Sequence, residues 1–139
     1  MPGPVVMVEY DPAWPSLYEA EKERVLSVAG QKISTIEHIG STSVPGLGAK
    51  PIIDIMACVR DSGAADECVE LLKPIGYTDI TSQSGHAEWF YCLAKGPHTV
   101  EGLRSIYHSH LVKENSRHFE DYILFRDYLR THPDVAAKY

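Results

Sequence analysis

Positive charge is scarce in this 139-residue chain: 13 Lys and Arg stand against 19 Asp and Glu, a formal net charge of −6 with histidine neutral. General nucleic-acid binding needs clustered cations to neutralise phosphates, so that class is excluded, whereas a small phosphorylated ligand needs only one local positive site. No apolar run approaches the roughly 20 residues that span a membrane, and the N-terminus has no basic-then-apolar leader. Cysteine is sparse as well. Cys58, Cys68 and Cys92 are odd in number and spread apart with no C-x-x-C pair, which fits a reduced, cytoplasmic setting. What remains, 44% apolar and 23% charged residues, is the composition of an ordinary globular protein. The length reads as one domain over residues 1–139, large enough to bury roughly 65–70% of the surface its unfolded chain exposes.

Asp11-Pro12 predicts a helix start, with Asp as N-cap and Pro at the first helical position. Trp14, Leu17, Tyr18, Val25, Leu26 and Val28 then recur at helical spacing until Gly30. Residues 32–39 alternate loosely as a strand, the loop Gly40–Lys50 follows, and Pro51–Val59 reads as a strand. Its near-continuous apolar run marks it as central and covered on both faces. A second helix is expected over Ser62–Ile75, stopped by Gly76. Residues 77–82, 87–94 and 104–113 read as strands joined by turns at Gly85 and Gly96-Pro97, and Asn115–Arg130 as a third helix. Pro133 opens one more, which reaches Tyr139 without a cap, so the chain is expected to stop short within it. The order α-β-β-α-β-β-β-α predicts an α+β fold, a mixed sheet flanked by helices.

Chemistry concentrates in His38-Ile39-Gly40-Ser41-Thr42-Ser43 and in Lys50-Pro51-Ile52-Ile53-Asp54-Ile55. Backbone N–H groups and hydroxyls of Gly40, Ser41, Thr42 and Ser43 can converge on a phosphate; equally, they can satisfy the backbone of an ordinary strand exit. Gly46-Leu47-Gly48-Ala49-Lys50 is no P-loop, because no Ser or Thr follows Lys50 and a strand comes next. Asp54 is a carboxylate within an apolar strand, costly to bury unless paired, hydrogen-bonded or bound to metal. A divalent-metal ligand is one reading, and a pairing with Lys50 or Arg104 the other. Chemistry with two metal ions needs several oxygen ligands, and Met56, two residues on, offers none. Glu37 is a possible replacement. So is the pair His108 and His110, which shares one strand face and suits a transition metal or a phosphate, or is simply a polar strand face. Arg126 and Arg130, four apart on the third helix, can grip a triphosphate or pair with local acids.

With these residues in view, the chain resembles the GrpB family, a branch of the nucleotidyltransferase superfamily with a polymerase-beta-like fold. The resemblance rests on Ile36 to Leu47 with Lys50 to Ile55, on His108-Ser109-His110-Leu111-Val112, and on Phe125 to Pro133. It implies a nucleotidyltransferase-like mixed sheet, with Gly40 and Ser41 as the Gly-Ser signature cradling nucleotide phosphates and Asp54 as the first catalytic aspartate, holding Mg2+. GrpB-like proteins commonly carry an apolar residue where Met56 stands. In some bacteria the family is fused to dephospho-CoA kinase, which links it to coenzyme A or nucleotide metabolism. Two departures stand out: His86-Ala87-Glu88-Trp89-Phe90 is less basic than the arginine-bearing strand usual there, and the further C-terminal helix is missing. The expected activity is metal-dependent transfer of a nucleotidyl group from a nucleoside triphosphate to an acceptor the residues do not name. The alternatives are a non-catalytic nucleotide- or coenzyme A-related binding module and a structural partner of a metabolic enzyme.

Overall fold

A computed structural model of the chain describes residues 7–84, 90–100 and 103–138. Helix α1 (Trp14–Ala29) leads into β1 (Ile33–Ile39), the Gly-Ser loop and β2 (Ile52–Val59). Helix α2 (Ser62–Leu72), the short β3 (Thr78–Asp79) and α3 (Thr81–Ser84), β4 (Tyr91–Val100), β5 (Leu103–Lys113), α4 (Arg117–Thr131) and α5 (Pro133–Lys138) follow. The strands form one sheet in the order β1-β2-β5-β4-β3. Only β2 and β5 are parallel; the other neighbours are antiparallel, so the sheet is mixed and the fold is α+β, as the sequence predicts.

Alternation along the strands divides the core into two layers. Ile53, Ile55, Ala57 and Val59 of β2 face α1 and α2 and pack with Trp14, Val25, Cys68 and Leu72. On the opposite face Ile39, Met56, Cys58, Cys92 and Val112 pack beneath Phe119, Tyr122 and Ile123 of α4. That helix covers only part of its face. Met56 is fully buried, whereas the side chain of Asp54, two residues earlier, keeps 25% of its surface exposed. The near-continuous apolar run of β2 thus has the double cover expected of it, and the site lies where the cover stops. Cys58, Cys68 and Cys92 are free and buried, and burial pushes their thiols up to about 12, 11 and 11, so they are core residues and poor nucleophiles.

Several boundaries differ from expectation for local reasons. Helix α1 starts at Trp14, because the Asp11 carboxylate is used one turn earlier, accepting from the Ala13 N–H at 2.8 Å. Helix α2 becomes a 3-10 turn at Lys73–Ile75 and is stopped by Gly76, whose φ of +109° suits glycine. The strand expected over 77–82 shrinks to Thr78–Asp79. Asp79 accepts from the Thr81 N–H and hydroxyl and turns the chain into α3. The expected turn at Gly96-Pro97 is a bulge inside β4, marked by a register shift between Lys95 and His98 and a φ of +115° at Gly96. Proline fits there because the ladder is already interrupted. The expected turn at Gly85 and the segment from His86 to Trp89 lie outside the described residues.

Candidate metal and phosphate site

Register brings the sequence-predicted ligands together. In the parallel β2–β5 pair Asp54 lies beside His108 and Met56 beside His110, and the two-residue side-chain repeat sets all four on one face. His110 Nε2 is 3.0 Å from Asp54 Oδ1, and His108 Nδ1 is 3.7 Å from the same oxygen. One donor atom from each of the three residues lies within 4.8 Å of the other two. The imidazole rings stand nearly perpendicular, 89° apart, with centroids separated by 6.2 Å. Burial holds His108 below the ordinary imidazole range, against the opposing pull of Asp54. Lys50 is no partner of Asp54 here, and the side chain of Arg104 lies outside the described residues.

The Gly-Ser turn meets this carboxylate directly. Gly40 has φ +77° and ψ −177°, a conformation open essentially to glycine. A Cβ at that position would lie 2.6 Å from Asp54 Oδ2, so a side chain there would push the carboxylate aside as well as strain the backbone. Beside it, Ser41, Lys50 and Asp54 share the wall of a cavity of about 350 Å³ with Gly48, Ala49 and Ile52. Lys50 is exposed and Ser41 half-buried. Thr42 and Ser43, expected to help cradle phosphate, are buried and turned inward. The Ser43 hydroxyl donates to Gly40 O, and the Thr42 hydroxyl donates to Ile52 O at 2.9 Å.

That second bond fixes a tautomer. With its only proton committed to Ile52 O, the Thr42 oxygen accepts at 3.0 Å from His38 Nε2, which therefore carries its hydrogen. His38 stacks on Tyr18, centroids 4.7 Å apart, and burial, aided by Arg130 and Arg126 against Asp54, lowers it to about 4. A base with a depressed folded value contributes stability in full above the unfolded value near 6.5 and loses it as pH falls toward 4. Urea unfolding at pH 7 and 4.5 should therefore show wild type losing about 2–3 kcal/mol more than His38→Gln. Equal losses in the two proteins would show that His38 is not held neutral.

The arginines act as braces. Arg126 Nη1 donates to His38 O at 3.0 Å and pairs with Glu37 Oε2 at 3.2 Å, while its Nη2 lies 3.0 Å from Asp127. Arg130 Nε donates to Ser43 O at 2.9 Å. Both line a second cavity of about 470 Å³, together with Tyr18, Glu37, His38 and Ser43. Arg126 therefore lies apart from the cavity beside Asp54. Glu37 is held by Arg126 and is not in the donor group around Asp54. The C-terminal helices add to this bracing: Leu129, Val135 and Ala136 pack on Val44 and Leu47 of the loop.

Two features escaped the sequence reading. His38 was visible only as a motif member, and nothing in its spacing shows that it orients the turn. Glu21 was detectable, for it occupies the buried stripe of α1 between Tyr18 and Val25, where an acid demands a partner. It is fully buried and bound to Lys95, Tyr77 and Arg24.

The profile of a family described as GrpB protein matches residues 4–139. The chain belongs to the GrpB family. The crystal structure of the conserved protein GrpB from Enterococcus faecalis superposes with a TM-score of 0.80 at 33% identity, covering 94% of this chain and 76% of that one. The protein BH1888 of Halalkalibacterium halodurans is 40% identical over 136 residues, 97% of this chain and 65% of that protein. A dephospho-CoA kinase of Mycolicibacterium paratuberculosis is 30% identical over 157 residues, 99% of this chain and 38% of the kinase. This GrpB chain thus spans under two thirds of the length of either of those relatives. Among the described residues, no helix is long and apolar enough to cross a membrane.

Proposed function

We propose that this GrpB domain binds a phosphorylated small molecule, and that this is a nucleoside triphosphate whose nucleotidyl group is transferred to an acceptor with release of pyrophosphate, with a divalent cation at Asp54. The observation that carries this reading is the close approach of Gly40 to Asp54: glycine, which the positive φ favours, lets the Gly-Ser turn and the Asp54 carboxylate share one site. Ser41 and Lys50 would hold the phosphates, the hydroxyl and backbone N–H donating and the ammonium balancing charge. Asp54, His108 and His110 would hold the cation. When bound, such an ion supplies charge neutralisation on the phosphoryl oxygens as the bond to the leaving pyrophosphate breaks. Arg126, Arg130 and His38 would keep the turn in place without touching substrate.

The relative named as a dephospho-CoA kinase supports a phosphorylated ligand and extends the candidates to coenzyme A precursors. The buried free thiols and the absence of a spanning helix among the described residues agree with a cytoplasmic setting. A second reading, a coenzyme- or nucleotide-binding module without catalysis, is favoured by one observation: β2 carries a single carboxylate, and Met56 is sealed in the core.

The test is Asp54→Asn, a nearly isosteric change at a partly exposed position. The variant should fold as wild type does and lose metal-dependent nucleotide turnover to the level of a blank. Turnover equal to wild type would remove Asp54 from the chemistry, and turnover in neither protein, with ligand still bound, would favour the binding module.

A further inference from the structure

We infer that Asp54, His108 and His110 form a mononuclear centre for a first-row transition metal such as Zn2+, in place of the Mg2+ that the resemblance implied. Mg2+ is a hard ion that demands octahedral oxygen coordination, and imidazole nitrogen suits it poorly. Two histidines and one carboxylate are instead a donor set for Zn2+, Fe2+, Co2+ and their neighbours.

Position in the sheet says why the set has this composition. The place on β2 where a second carboxylate would stand is Met56, fully buried beneath α4. His110 lies directly beside Met56 on β5 and turns Nε2 back toward Asp54, so the neighbouring strand supplies at that level the ligand that β2 cannot. Glu37, across from Met56 on β1, could have provided a further oxygen, but Arg126 holds it. Among the described residues no other group of three such donors converges, which leaves provision for one ion and not for two. All three ligands stand on adjacent, paired strands, a rigid frame that fixes their separation.

The number of ligands matters as well. Three protein donors leave at least one coordination position open, the arrangement of working metal sites as opposed to closed structural ones. Asp54 borders the cavity with Ser41 and Lys50, so a phosphate bound there lies next to the open side. The inference shares Asp54 with the transfer reaction, but its test reads the metal alone.

The chelator-treated 139-residue chain is titrated calorimetrically with Zn2+ and with Mg2+, and Co2+ binding is followed by visible absorption. The expected result is one Zn2+ per chain, bound at least about a hundredfold more tightly than Mg2+. His108→Ala should weaken Zn2+ at least about tenfold with unchanged circular dichroism, and His110→Ala should do so too. His108 is the safer position, since its side chain is 27% exposed where that of His110 is 6% exposed. Co2+ absorption typical of nitrogen ligation tests the set without any substitution. Zn2+ bound normally in a protein that turns over no nucleotide would uphold the centre and remove the transfer reading. Zn2+ affinity no better than that of Mg2+, or unaltered by His108→Ala, would overturn the inference. So would the absence of Zn2+ binding, which would leave Asp54 and His110 as a hydrogen-bonded pair only.

Discussion

Glu21→Ala should lower the unfolding free energy by about 3–5 kcal/mol, the range for breaking a buried ion pair by removal of one partner. The Glu21 side chain is fully buried, and that of Lys95 is 10% exposed. Lys95 Nζ lies 3.1 and 3.0 Å from the two carboxylate oxygens. The Tyr77 hydroxyl donates to the same group at 2.7 Å, as does Arg24 Nε. Burial alone would raise the Glu21 carboxyl, but the hydrogen bonds from Tyr77, Arg24 and Lys95 outweigh it and hold the group below the usual range. Removing the acid strands a buried ammonium and a phenol, whereas Arg24, half exposed, can turn to water. The double variant Glu21→Leu/Lys95→Met removes both charges and should recover most of the loss, as apolar replacements of buried pairs commonly do. Urea unfolding of both variants checks this. A loss below about 1 kcal/mol for Glu21→Ala would mean that water reaches the pair in solution.

Met56→Asp, which would rebuild a two-carboxylate strand, should unfold the protein or cost several kcal/mol and should not create a second metal site. The residue is fully buried among Ile39, Cys58, Cys92 and Val112, under Phe119, Tyr122 and Ile123. An isolated carboxylate there either stays ionised at a cost of several kcal/mol or takes up a proton, and the cover of Phe119, Tyr122 and Ile123 keeps an incoming ion from it. Met56→Leu, close in volume, should cost less than about 1.5 kcal/mol. Thermal unfolding with and without divalent cation is the check. A Met56→Asp protein of wild-type stability that binds a second ion would show that this position belongs to the site and not to the core.

Much of this was legible beforehand, for identifiable reasons. The β2 run, the Gly76 stop and the helical repeat of Asn115–Arg130 are local signals, and each produced its element. Asp54 announced itself as a carboxylate among isoleucines, and His108 with His110 as a pair on one strand face. Their convergence is offered in the sequence reading as one of several alternatives, and spacing alone does not fix it, because it depends on the parallel register of β2 and β5, which pairs residues 54 apart in sequence. The same limit explains Glu37 and Arg126: either could serve a ligand in isolation, and only the packing of α4 on the edge strand β1 brings them to each other. The inward-turned hydroxyls of Thr42 and Ser43 could not be told apart beforehand, since hydroxyls that satisfy a turn and hydroxyls that bind phosphate look alike in sequence. The Gly96-Pro97 pair misled because a bulge and a turn use the same residues.

The central claim is that Gly40, Ser41, Lys50 and Asp54 form one metal-dependent site for a phosphorylated ligand. Calorimetric titration of ATP and of dephospho-CoA into wild type and Asp54→Asn, with divalent cation and with chelator, tests it most directly. Saturable binding of at least one of the two, strengthened by the cation and lost in Asp54→Asn, is the predicted result. Binding of equal strength with chelator and in Asp54→Asn, or no heat from either ligand under any condition, would contradict it.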